Sequence, residues 1–233
     1  ERAWATGLVV VTSAGNRGRD GYMTINSPGN DPYVLTIGAI NDLNTAERTD
    51  DVATTYSSRG PSFGDHVLKP DLSAPGNRIV SSLSPGSAVA ALFPDRVLDG
   101  ERIELSGSSM AAGVASGAAA ILLERQPSLT PDQVKVVLML SAEKVDGDDV
   151  FAVGAGRLSL IRALALGDSF QPARPRSASP IVMRREEAGT YMLVQPPPLG
   201  QALWGDQVLW GDQALWGDQA LWGDQALWGD QAL

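Results

Sequence analysis

The chain has 233 residues, of which 43% are hydrophobic and 19% charged, with a net charge of −9. That length and balance suit one sizeable globular domain with an appendage, and the acidic charge argues against nucleic acid or an anionic membrane surface as partner. The absence of cysteine excludes disulfides and thiolate metal sites, and no apolar run reaches the roughly 18 residues needed to span a bilayer.

Residues 1–166 read as α/β. Glu1 to Thr6 form the last turn of a helix, closed by Gly7. Leu8 to Val11 is an unbroken apolar run, as in a strand buried on both faces. It ends in Thr12-Ser13-Ala14-Gly15-Asn16. Tyr33 to Ile40 is a second such strand, and Leu72 to Ala74 a shorter third before the Pro75-Gly76 turn. Ile79–Leu83 and Arg102–Leu105 are predicted to pair as an antiparallel ribbon.

Two helices follow. Met110–Arg125 places Val114, Ala118, Ile121 and Leu122 on one face, at helical spacing. Its first half is almost all Ala, Gly and Ser, which allows close packing on a sheet. The second helix has a clear start signal: Thr130 as N-cap, Pro131 at N1, then Asp132 and Gln133. Val134, Val137, Leu138 and Ser141 form its inner face. Gly154-Ala155-Gly156 turns into a last short helix, Leu160–Leu166.

Residues 167–200 hold six of the 15 prolines and read as a linker, partly polyproline II. Ile181–Met183 and Tyr191–Val194 are candidate short strands that dock back onto the domain. Residues 201–233 repeat Gln-Ala-Leu-Trp-Gly-Asp and carry five of the six tryptophans. A period of six suits extended or turn-rich chain better than helix. Gly-Asp turns between short strands would stack Leu and Trp in columns. An irregular tail with spaced tryptophans is the alternative.

The chemistry concentrates in Gly107-Ser108-Ser109-Met110-Ala111. A serine at a helix start lets backbone N–H groups and the helix dipole face a developing oxyanion. A plain helix cap is the bland reading of Ser109, and a turn residue that of Asn16. Five segments in order resemble the subtilisin-like serine proteases over residues 1–166. They are Ala14-Gly15-Asn16, Tyr56-Ser57-Ser58-Arg59-Gly60-Pro61, Lys69-Pro70-Asp71-Leu72-Ser73-Ala74-Pro75-Gly76, Gly107-Ser108-Ser109-Met110-Ala111 and Gly154-Ala155-Gly156-Arg157-Leu158. The nucleophile segment departs from the family's Gly-Thr-Ser-Met-Ala in having Ser108. Gly113 and Val114 stand where the family usually has Pro and often His.

The resemblance implies Ser109 as nucleophile and Asn16 as oxyanion-hole donor, with Gly15, Asn26 and Ser27 near the pocket for the substrate side chain. It implies peptide or protein substrates and a secreted or cell-surface location. No cofactor is required. Structural calcium is common in the family, but no carboxylate cluster here is assigned to a metal. Ser27-Pro28 aligns near a bond that is cis in some relatives; the base rate favours trans.

The family's catalytic Asp and His precede the asparagine segment. The one histidine, His66, lies in the loop Phe63-Gly64-Asp65-His66, and reads as a solvated loop residue rather than the base. The expected fold is therefore the later part of a subtilisin-like parallel-sheet sandwich, incomplete at the N-terminus, with the Asp and His upstream of Glu1. An inactive scaffold that displays the Trp-rich repeat for binding or assembly, at a cell surface or with itself, is the rival reading.

Overall fold

The computed structural model describes residues 1–145, 147, 149–169, 177–184 and 191–194. The hexapeptide repeat and its predicted turns lie outside the described residues.

Strand β2 (Leu35–Asn41) is the centre of the sheet: Leu35, Ile37 and Ala39 alternate with Thr36, Gly38 and Ile40, and all six are buried. On one side it pairs in parallel with β1 (Val11–Ser13), Val11 opposite Leu35, and further along with the antiparallel β3 (Val52–Ala53). On the other side lies the parallel β4 (Leu72–Pro75), with Ile37 opposite Leu72. Parallel and antiparallel pairs thus share one mixed sheet, in an α/β fold as expected.

The run Leu8–Val11 differs from its prediction. The strand starts at Val11, its three residues are half-buried, and Leu8 is 61% exposed. The reason is position: among the described residues, β1 is paired only to β2, so its outer edge has no neighbour to bury it.

Helix α3 (Ser108–Arg125) packs across β1, β2 and β4. Its buried residues are Ser108, Ala111, Ala115, Ala118, Ala119 and Leu122. The predicted face is therefore only partly right. Ala118 and Leu122 are inside, Val114 is half-buried, and Ile121 is 43% exposed. The alanines let the backbone approach the sheet, and that approach chose the inner face over the face with larger side chains.

Helix α4 (Pro131–Leu140) begins where its cap predicts. Thr130 accepts from the Gln133 N–H while the Gln133 side chain accepts from the Thr130 N–H, a complete capping box. Val134, Val137, Leu138 and Ser141 are buried as predicted. The antiparallel β5 (Ile79–Ser82) and β6 (Arg102–Leu105) form the predicted ribbon, with the short α2 (Ala88–Leu92) between them. The last helix is longer than predicted and is labelled α6 (Leu160–Ser169). The buried α5 (Val150–Val153) lies against β2, and α1 (Arg2–Ala5) is one turn whose Trp4 donates to Asp132 at 3.2 Å.

Within the proline-rich stretch, β7 (Ile181–Arg184) pairs antiparallel with β8 (Tyr191–Val194), at the candidate strand positions. Ser177, Ala178, Ser179 and Val182 are buried. The Leu68 N–H donates to Pro180 O at 2.7 Å, and the Val182 N–H to His66 O at 2.9 Å. His66 is thus half-buried rather than fully solvated, because this strand covers its backbone. The Ser27–Pro28 bond is cis, against the expected trans, as are Gly60–Pro61 and Lys69–Pro70. The trans preference before proline is only about 0.5–1 kcal/mol, small enough for the surrounding turn to decide.

Candidate functional site

Four segments converge at the N-terminus of α3. β1 leads into Ala14-Gly15-Asn16, and the loop after β3 supplies Tyr56 and Ser58. β4 leads through Pro75 to Gly76, and Gly107 is the N-cap of α3. The Gly107 N–H donates to Gly76 O at 2.8 Å, and the Tyr56 hydroxyl donates to the same carbonyl at 2.9 Å. Burial raises the Tyr56 pKa, with hydrogen bonds opposing, so the phenol stays a donor at neutral pH.

The turn that carries Asn16 is held on its underside by Ser58. The Ser58 N–H donates to Gly15 O at 2.8 Å, and Ser58 Oγ accepts from the Arg17 N–H at 3.0 Å. Gly15 has φ +105°, and a Cβ there would stand 2.8 Å from Ser58 Oγ. A side chain is excluded both by conformation and by space.

Ser108 is fully buried and joins the two halves of the site. Its N–H donates to Asn16 Oδ1 at 2.9 Å, and its hydroxyl donates to the same oxygen at 3.0 Å. Ser108 Oγ in turn accepts from the Gly15 N–H at 3.1 Å. A backbone N–H can only donate, so the atom it faces must be the carboxamide oxygen. The Asn16 Nδ2 group is therefore the outward end. A Cβ added to Gly107 would lie 3.3 Å from that nitrogen.

Ser109 follows as the second residue of α3 and is exposed. It is not the cap; that position belongs to Gly107, which removes the bland reading of the serine. The Ser109 N–H belongs to the first turn, where helix N–H groups lack intrahelical partners. One donor from Asn16 and one from the helix start, beside an exposed hydroxyl, can receive negative charge on an oxygen.

Of the predicted site residues, Ser109, Asn16 and Gly15 come together here. Asn26 and Ser27 are exposed on the turn before Gly29, and among the described residues no hydrogen bond joins either to Asn16 or Ser109. His66 lies in the loop between Ser62 and Val67, its N–H bonded to Ser62 O at 3.2 Å. Sequence reasoning passed over Ser58, Tyr56 and Gly76 as individual residues, and noted Ser108 only as a departure from the family pattern, so that all four went without a role. The signal was present, since all four lie in the segments that carry the family resemblance.

The strongest buried charges are elsewhere. Asp71 accepts from Lys69 Nζ at 2.8 Å, lies 3.0 Å from Lys135 Nζ, and accepts from the Thr36 N–H at 2.7 Å. Burial opposes ionisation of Asp71, but Lys135 and Lys69 outweigh it and hold its pKa below the usual carboxylate range. Burial drives Lys69 down to about 7, with Asp71 opposing and Lys135 adding like-charge repulsion. This cluster sits at the start of β4 and braces the strand that leads to Gly76. Among the described residues, no group of three or more His, Asp or Glu side chains is placed to hold a metal ion. No helix there is long and apolar enough to cross a membrane.

The mixed α/β sheet thus places the exposed Ser109 at a helix start beside the Asn16 carboxamide. Residues 1–156 match the profile of the subtilase family, and the chain belongs to that family. It is 41% identical over 160 residues to serine protease AprX of Bacillus subtilis (strain 168), covering 68% of this chain and 36% of AprX. It is 37% identical over 106 residues to subtilisin-like protease SBT3.9 of Arabidopsis thaliana, covering 44% of this chain and 13% of that protein. The chain thus spans about a third or less of these curated relatives. Among solved structures it is similar to the patellamide maturation protease PatA, with 27% identity and a TM-score of 0.53 over 73% of this chain and 55% of PatA. Fervidolysin from Fervidobacterium pennivorans, a keratinolytic enzyme, shares the fold at 23% identity and a TM-score of 0.56, over 78% of this chain and 25% of that one.

Proposed function

We propose that this chain forms the nucleophile and oxyanion-hole part of a subtilisin-like serine endopeptidase, with the catalytic Asp and His lying upstream of Glu1. In this scheme Ser109 Oγ attacks the carbonyl carbon of a peptide bond while an upstream histidine takes its proton. The carbonyl oxygen becomes an oxyanion and accepts hydrogen bonds from Asn16 Nδ2 and the Ser109 N–H. Collapse breaks the C–N bond, the amine leaves with the proton from histidine, and an ester on Ser109 remains. Water, deprotonated by the same histidine, then hydrolyses that ester and restores Ser109.

One observation carries the reading. Asn16 Oδ1 is anchored to Ser108, so the amide nitrogen is left as a donor beside the exposed Ser109. Family membership supports the same assignment. Nothing among the described residues favours the inactive-scaffold reading. A secreted or cell-surface location, and a role for the repeat in retention there, belong to this proposal through resemblance and composition alone.

A fluorophosphonate probe tests the nucleophile. The full-length protein is expected to label on Ser109 and to lose labelling in Ser109→Ala. Folded full-length protein that does not react, or reacts equally after the substitution, refutes the assignment.

A further inference from the structure

We propose that the arm between β5 and β6 is a docking surface for an apolar, non-acidic stretch of the polypeptide substrate, held away from the residues that flank the scissile bond. The inference rests on the assignment of Ser109 as nucleophile and names the class of substrate that the same site favours.

Residues 83–101 leave the β5–β6 ribbon and return to it. The stretch is ordered. The Leu83 N–H donates to Glu101 O at 2.7 Å and the Leu98 N–H to Arg102 O at 3.0 Å, and Val97 bridges Ile103. Within it, the Ser87 side chain caps α2 by accepting from the Ala90 N–H. Every residue of α2 is apolar, yet none is buried. Leu92 is 71% exposed, Phe93 50% and Leu98 51%, and none of the three belongs to the hydrophobic core. Val89, Leu92 and Phe93 fall at i, i+3 and i+4, on one side of the short helix. An ordered segment that turns a group of apolar side chains to solvent marks a contact surface.

The arm is rooted at the site. At its entry, the Arg78 N–H donates to Ser106 Oγ at 2.8 Å. At its exit, β6 runs through Ser106 and Gly107 into α3. Ile103, opposite Val97, precedes Ser109 by six positions, which is at most about 20 Å of chain. A polypeptide seated at Ser109 covers that distance with about six extended residues on one side of its scissile bond.

Charge narrows the choice of occupant. From Arg78 to Leu105 there are three arginines against Asp95, Asp99, Glu101 and Glu104, and the arginines already face Glu104 or Asp99. The arm therefore offers little to an acidic partner. The Leu- and Trp-bearing repeat carries five aspartates and neither Lys nor Arg, and a second copy of the chain carries −9. Both bring like charge to the arm. An apolar segment without carboxylates brings none.

The test compares quenched fluorescent peptides that share one cleavable core. They differ in extensions long enough to reach the arm, built either of Leu, Phe and Val or of Gly and Ser. The full-length protein is expected to cleave the apolar-extended peptide with kcat/KM about tenfold above the Gly/Ser one, chiefly through KM. Leu92→Ser combined with Phe93→Ser is expected to bring the two within about twofold, with the bare core peptide cleaved as before and Tm unchanged, since both side chains are exposed. Equal cleavage of the two extended peptides by the parent overturns the proposal, as does a loss on the core peptide in the variant. A lowered Tm assigns the arm to the protein's own packing, and a parental dimer lost in the variant assigns it to a second copy; either result overturns the proposal. A preference that emerges only after deletion of residues 201–233 makes the repeat the occupant and does the same. Failure of the underlying assignment is read separately, because core hydrolysis that persists in Ser109→Ala rejects the nucleophile and leaves the extension preference to decide the arm. Fluorescence anisotropy of the labelled apolar extension on Ser109→Ala reads the arm without hydrolysis: binding is expected to weaken about tenfold when Leu92 and Phe93 are replaced, and unchanged binding overturns the proposal.

Discussion

The Lys69–Asp71–Lys135 cluster makes a prediction with opposite signs for two neighbouring substitutions. Two ammonium groups share one carboxylate, and the side chains of all three are at most 1% exposed. Lys135 Nζ is well supplied: it lies 2.9 Å from Ser179 Oγ, 3.0 Å from Pro32 O and 3.2 Å from Val34 O, besides Asp71. Lys69 Nζ has two acceptors among the described residues, Val34 O and Asp71, each at 2.8 Å. Two acceptors match the two N–H bonds of a neutral amine, one fewer than an ammonium offers. The depression of Lys69 from 10.5 to about 7 by burial agrees with that count.

Because the folded value lies below the unfolded one, the unfolded state holds the proton more tightly. Protonated Lys69 therefore opposes folding by on the order of 4 kcal/mol near pH 7, and this cost fades as pH rises toward 10.5. Lys69→Met removes the cost, while Val34 O keeps Lys135 and Asp71 keeps the Thr36 N–H as donors. Asp71→Asn instead leaves two cations without their anion, a loss of about 3–5 kcal/mol. Thermal and urea unfolding of the full-length protein from pH 7 to 10 measures both. Lys69→Met should match or exceed the parent at pH 7, and its advantage should shrink as pH rises. Titrating groups common to both proteins cancel in that difference. An advantage that stays flat or grows with pH, or a methionine variant as unstable as Asp71→Asn, refutes the reasoning.

Gly15→Ala forces a side chain into φ +105° and to within 2.8 Å of Ser58 Oγ. A loss of about 1–3 kcal/mol is expected, with a drop in kcat because Asn16 moves with the turn; unchanged melting and kcat would contradict this. Thr130→Ala removes the capping box of α4 and should cost about 1 kcal/mol in urea unfolding without altering KM. Residues 1–170 produced alone are expected to aggregate, since β1 is paired on one side only among the described residues and Leu8 is 61% exposed. Soluble material with one cooperative transition would count against that expectation.

Features encoded within a few residues were legible in the sequence. Thr130-Pro131-Asp132-Gln133 specifies a helix start through its own side chains. The runs around Leu35–Ile40 and Leu72–Ala74 specify buried strands, and the glycine-and-serine segment ahead of Met110 specifies a hydroxyl at a helix entrance. Features that depend on a neighbour were less legible. Ile121 is as apolar as Leu122, yet of the two only Leu122 is buried. Leu8–Val11 reads as a core strand, yet Leu8 lies exposed beside an unpaired edge. Ser177 and Ser179 read as linker, yet Ser177 donates its N–H to Asp132 at 3.1 Å and Ser179 Oγ lies 2.9 Å from Lys135 Nζ.

The sequence by itself determined the family, the order of the elements and the candidate pair Ser109 and Asn16. The order of the elements follows from residue type and local periodicity, while the family and the candidate pair come from the resemblance of five short segments, which survives without coordinates. Only the tertiary structure decided which end of the Asn16 amide points outward and which serine holds it. Asn16 and Ser108 are 92 positions apart, and no local rule links them. Their contact exists because alanines on α3 let the helix settle onto β1 and β2, which brings the end of one element to the start of the other.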